Sequence, residues 1–194
     1  MEYKNYNIRI EQDESPDSPR NWDNLGTMYF LHSRYSLGDK HNFSASEINQ
    51  IGNDPDYIAL PVYMYDHSGI TISTSPFSCP WDSGQLGIIA VSKEKVRKEY
   101  TWKVFNKNRI ETIKNYLKSE VDTYDQYLRG EVFGFIIEKD GENIDSCWGF
   151  YGHDYCEQEA KSIVDYTIRE ELKKRMNKLK TYIKNRVPTL SRSF

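Results

Sequence analysis

Between Asn106 and Arg129 apolar side chains recur at Ile110, Ile113, Leu117, Val121, Tyr124 and Leu128, in steps of 3, 4, 4, 3 and 4. That spacing stacks all six on one side of a helix, whereas a strand would need a period of two. Gly130 follows as a residue that can take the left-handed turn closing a helix. A second long period begins at Asp154 and ends before Pro188, with the stripe Ala160, Ile163, Val164, Ile168, Leu172, Met176, Leu179 and Ile183. Asp154 and Glu157 have the spacing of a capping box at its start. Between the two helices, Glu131 to Glu138 and Asn143 to Phe150 flank Lys139-Asp140-Gly141-Glu142, the signature of a hairpin with an Asp-Gly turn.

The first half reads as strands. Tyr6, Ile8 and Ile10 alternate with polar residues in a strand from Tyr3 to Glu11. Asp13 to Asn24, with two prolines, reads as a surface loop, and Gly26 to His32 as a short strand. Ser44 and Glu47 form a capping box for a helix to about Gln50, and Ser92 can cap another from Lys93 to Tyr100. Tyr57 to Tyr65 and Ile70 to Ser73 are strands around the turn Asp66-His67-Ser68-Gly69, and Gln85 to Val91 is one more. Strands in hairpin groups with the longest helices late favour an α+β fold: a mainly antiparallel sheet with hairpins, packed against two longer helices, and a basic C-terminal helical tail. The 194 residues include 27 aromatics, enough for a real core, and no Gly/Ser-rich linker is present. The expected organisation is one α+β domain over residues 1–172, followed by a basic helix end and tail over 173–194.

Charge narrows the partners. The net charge is only −3, yet residues 173–194 hold eight bases and no acid, leaving residues 1–172 at −11. Such a field steers encounters and selects partners without defining a fold. No apolar run approaches the ~18 residues of a membrane span, and the N-terminal segment lacks the apolar stretch of a secretory signal. Three cysteines at irregular spacing do not make a disulfide framework. The expectation is a cytoplasmic protein with no membrane partner.

Two segments concentrate chemistry. Tyr65 to Gly69 with Ser78 to Gln85 is one, and Asp145 to Asp154 the other. A thiol nucleophile needs a base oriented by an acid, so Cys79 with His67 or His153, and Asp66 or Asp154 as orienter, would make a small hydrolase or modifying enzyme if the segments meet. The bland reading is a buried cysteine beside core tryptophans, with Asp and Ser satisfying turns. Cys147 and Cys156 are nine residues apart, too far for a local zinc pair, and a site built from His67, Cys79, His153 and Cys156 rests on nothing local. Phosphate-loop and nucleophile-elbow motifs are absent. No catalytic residue, metal or cofactor is therefore assigned from the sequence. The basic tail supplies Lys173, Lys174, Arg175, Lys178, Lys180, Lys184 and Arg186 as candidate phosphate contacts, with Tyr182 among them for stacking. Its bland reading is the solvated face of an amphipathic helix, and the same stripe could pair with a second copy in a homodimer. Glu11, Asp13, Glu14, Asp17 and Asp23 are candidate partner-binding acids that could mimic a phosphate backbone.

Several stretches carry a resemblance. They are Ser18-Pro19-Arg20-Asn21-Trp22-Asp23-Asn24-Leu25-Gly26-Thr27-Met28, Leu60 to Gly69, Phe77 to Gln85, Val91 to Tyr100, Tyr124-Asp125-Gln126-Tyr127-Leu128 and Asp145 to Gly152. Together they resemble a family of mostly uncharacterised proteins carried by phages, plasmids and other mobile elements. Proteins of that setting often counter host defence, so the resemblance implies an anti-CRISPR-type role in a host bacterial cell. The expected partner is then a CRISPR effector nuclease or similar defence protein, with DNA as a further contact through the tail.

Overall fold

The structure, a computed structural model, describes residues 1–186. In chain order the strands and helices are β1 (Glu2–Tyr3), β2 (Tyr6–Gln12), β3 (Thr27–Phe30), α1 (Ala45–Asn53), β4 (Tyr57–Asp66), β5 (Ile70–Ser73), β6 (Ser83–Ser92), α2 (Lys93–Tyr100), α3 (Lys107–Leu128), β7 (Val132–Lys139), β8 (Glu142–Tyr151) and α4 (His153–Arg186). The fold is α+β, with two four-stranded antiparallel sheets. Each long helix has a sheet of its own. Contacts divide into two compact units, one of Met1–Gln12 with the chain from Phe133 onward, the other of Asp13–Val132. The part of the expected tail beyond Arg186 lies outside the described residues.

In the first unit the strand order is β1-β2-β7-β8. Tyr3 to Glu11 is not one strand: Lys4 and Asn5, at φ 49° and 65°, fold the chain back so that Tyr3 pairs with Tyr6. Two successive left-handed residues match the twist of a hairpin, and Asn tolerates that conformation. The Asp-Gly turn between β7 and β8 forms as expected, with Asp140 and Gly141 at φ 53° and 84°. Cys156, Ala160 and Val164 of α4 pack on Tyr6, Ile8, Phe135 and Ile137. The helix starts at His153, straight after Gly152 at φ 90°, so Asp154 lies inside the first turn. The expected Asp154–Glu157 capping box is thereby displaced, and Glu157 pairs forward with Lys161 at 2.5 Å. The Lys139 ammonium, donating to the Tyr6 hydroxyl (3.0 Å) and to Glu171 (3.3 Å), ties α4 to the sheet.

In the second unit the order is β3-β6-β4-β5. Central β6 is buried on both faces, which is why it reads as a continuous apolar run. Ile89 and Val91 join the core under α3, while Ile88 and Ala90 meet Ile48 of α1. The α3 stripe behaves as its spacing requires: Ile113, Leu117, Val121 and Tyr124 are buried, Ile110 and Leu128 partly so. Gly130, at φ 70°, closes the helix. The Ser44–Glu47 capping box forms on α1, and the Ser92 hydroxyl accepts from the Lys95 N–H on α2.

One buried guanidinium holds the loop before β3. Arg20 donates Nε and Nη2 to Asp39 (3.1 and 2.6 Å), Nη1 to Glu120 (3.1 Å) and Nη2 to the Gly26 carbonyl (2.8 Å). Its side chain is 7% exposed. Glu120 also accepts from the Leu25 and Gly26 N–H groups, and Asp39 from that of Met28. Removing one partner of such a network leaves buried charge without compensation. Arg20→Ala is expected to destabilise this unit by about 3–5 kcal/mol in denaturant unfolding. Arg20→Lys is expected to recover only part of it, because an ammonium cannot reproduce the planar fork. A loss below about 1 kcal/mol would contradict the account.

Candidate partner-binding site on the C-terminal helix

Helix α4 has two different halves. Up to Glu171 it is anchored to its sheet, and from Glu171 to Arg186 every residue is exposed. The four later members of its expected core stripe, Leu172, Met176, Leu179 and Ile183, are 50–54% exposed. They do not enter the core. At roughly 100° per residue they lie about 110° around the axis from Cys156, Ala160, Val164 and Ile168, so the stripe changes face where the sheet ends. A pattern of 3s and 4s conceals this, because a run of steps of four drifts steadily around the helix.

All seven candidate bases sit on this free half. Lys173 is paired with Glu170 at 3.3 Å, and Arg186 donates to the Tyr182 hydroxyl at 2.7 Å with its guanidinium over the ring. Lys174, Arg175, Lys178, Lys180 and Lys184 have no ion-pair partner among the described residues. The sheet unit that carries them has an acidic body: residues 1–12 and 133–172 hold 12 acids and 5 bases. Residues 13–132 hold 17 acids and 13 bases, so the acidity is spread over both units.

The candidate acids are held in different local settings. Glu11 belongs to strand β2 and faces Arg9 at 3.9 Å. Asp13 caps its own turn by accepting the Ser15 N–H at 3.0 Å. Glu14, Asp17 and Asp23 are exposed along the loop, with a single turn of 3-10 helix at Pro19–Asn21 between the last two.

At one end of the second unit His67 and Cys79 meet a common carboxylate. Asp82 Oδ2 lies 3.3 Å from His67 Nδ1 and 3.9 Å from Cys79 Sγ. The acid stands between thiol and imidazole, the reverse of a nucleophile–base–acid relay. Asp66 is taken up by Arg34 at 2.5 Å and does not orient His67. His153 and Asp154 belong to the other unit, where the His153 ring is edge-on to Phe133. Cys147 is exposed, and Cys156 is buried with its thiol pushed up to about 11 by desolvation. Among the described residues no group of three or more His, Cys, Asp or Glu side chains is arranged to hold a metal ion. No helix among them is long and apolar enough to cross a membrane. The bordering Trp81 is 91% exposed and does not form the core tryptophan of the bland reading. Its neighbours Pro80 and Asp82 are the only local signal of a loop tip.

No protein-family profile, curated protein or solved structure matches the chain.

Thiol chemistry separates the two readings of the cysteines. A mild alkylating probe is expected to label Cys147 first and to leave Cys156 unlabelled until the protein unfolds. Preferential labelling of Cys79 would instead mark an activated nucleophile.

Proposed function

We propose that this chain is a non-enzymatic anti-defence protein of a mobile element, an anti-CRISPR-type inhibitor that binds a nucleic-acid-guided nuclease in a host bacterial cell. The observation that carries the reading is the free half of α4, with seven bases and no acid from Lys173 to Arg186 on a unit whose body is acidic. A protein–nucleic acid complex offers both phosphates and basic channels, so one partner can engage both signs of charge. The resemblance to mobile-element proteins supports the setting. The bases then touch DNA or guide RNA, and the acids of the body meet basic protein surface. The hydrolase alternative draws on the proximity of Cys79 and His67. The carboxylate between them weighs against it, because thiol and imidazole each face Asp82 Oδ2 rather than form the nucleophile–base pair such an enzyme needs.

The test is a titration of the purified protein into a Cas9-type DNA cleavage reaction, read as fraction cut against molar ratio. Full inhibition near one equivalent is expected, unchanged by Cys79→Ala. Inhibition far below one equivalent would replace the reading with an enzyme, and none at large excess would remove this nuclease class. Alanine at Lys174, Lys178 and Lys184 is expected to flatten the salt dependence of DNA binding by about one unit of log–log slope per residue.

A further inference from the structure

The free half of α4 carries more than charge. Leu172, Met176, Leu179 and Ile183 step by 4, 3 and 4, so Met176 and Ile183 take the a positions of a heptad and Leu172 and Leu179 the d positions. Each is half-exposed, and together they form an apolar line along the free half of the helix. Upstream the same line meets Asp165 and Arg169, so the seam begins only where α4 leaves its sheet. Flanking it at the e and g positions are Lys173, Lys180 and Arg175, with Tyr182 at the remaining one. Lys174, Lys178 and Lys184 point away from it.

The form of this stripe selects its occupant. It spans only about 60° of the helix circumference, the narrow seam of a helix pair rather than the face of roughly 100° or more that packs on a sheet or lies in a lipid surface. Pairing with a second copy is opposed by charge. Parallel, it would set Arg175 against Lys180 of the other copy, and antiparallel, Lys173 against that same lysine. Two heptads are too short to overcome that repulsion in an isolated coil. An acidic partner helix meets neither obstacle, because its flanking carboxylates would face Lys173, Arg175 and Lys180.

We propose that the Leu172–Ile183 seam docks an acidic amphipathic helix of another protein, apolar at its a and d positions and carrying Asp or Glu beside them. This rests on the reading of α4 as the partner-binding element, and it divides the work between two faces. The seam takes protein, while Lys174, Lys178 and Lys184 remain open to phosphate.

The probe is a synthetic heptad peptide with Leu at a and d and Glu at e and g, titrated into the isotope-labelled full chain and followed by amide shifts. Shift changes confined to residues 171–186 are expected, with affinity reduced about tenfold or more by Leu179→Glu and by Lys173→Glu with Lys180→Glu. The charge-reversed double variant should instead gain binding to a lysine version of the peptide. Because these side chains are exposed, unchanged shifts across the sheet report that the variants stay folded. Absence of shift changes at 171–186, or equal response to the acidic and basic peptides, would overturn the proposal. So would a dimer in sedimentation that Leu179→Glu dissolves, which assigns the seam to a second copy. Binding to anionic vesicles through the seam without peptide binding would assign it to lipid. Peptide binding retained in a protein that fails to inhibit cleavage would strike the nuclease reading and leave the seam standing.

Discussion

The Arg20 guanidinium is the point on which the second unit turns. Four of its N–H groups reach Asp39 after β3, Glu120 on α3 and the Gly26 carbonyl at the entry to β3. These partners are 19, 100 and 6 residues away. Through Glu120 the same network draws the Leu25 and Gly26 N–H groups onto α3, and through Asp39 it fixes the start of β3. Gly26 is then pressed so close to Leu117 and Ile89 that an added Cβ would lie 2.5 and 2.8 Å from their side chains. A buried ion network adds little to stability compared with an apolar replacement, but it is costly to leave half made. Its consequence here is registry: one long loop, one helix and one sheet edge can close around Arg20 in only one arrangement.

That constraint was invisible in the sequence for a physical reason. Periodicity reports which face of an element is apolar, and it marked α3, α2 and the β7–β8 hairpin with ends within a residue or two, while α1 runs to Asn53, three residues past the expected Gln50. It carries no information about a polar partner 100 residues away, so Arg20 read as one residue of a surface loop. The same limit hid the division of the strands between two sheets. Lys4-Asn5 was missed because its turn lacks the glycine that usually signals a left-handed pair, and the alternation from Tyr6 onward extended naturally across it. At the start of α4, a correct spacing rule met a competing one: Gly152 opens the helix before Asp154 can cap it.

The candidate site was legible in part, and its charge more than its geometry. An acid-free run of bases is a compositional fact, and the exposed positions from Lys173 to Arg186 agree with a solvated helix end. The apolar stripe was misjudged as core because residues 160–168 and 172–183 merge in one list of apolar positions. Only their angles around the axis separate them. The cysteines show the opposite failure. Residue types alone suggested a thiol and a base, whereas the positions of atoms put Asp82 between them and gave Asp66 to Arg34.

The two halves of α4 depend on each other energetically. A helix of this length rich in lysine would be marginal alone, since the first turn must be ordered before any hydrogen bond stabilises it. Packing of Cys156, Ala160 and Val164 on the sheet supplies that first order, and the free half then propagates from a turn already formed. Its bases repel one another, which limits how far propagation runs in the absence of a partner. An anionic surface would remove that repulsion at the moment it covers the seam. The ordering and the binding therefore draw on the same residues with opposite responses to salt, because screening relieves the repulsion that opposes the free helix and weakens the attraction to an anionic partner.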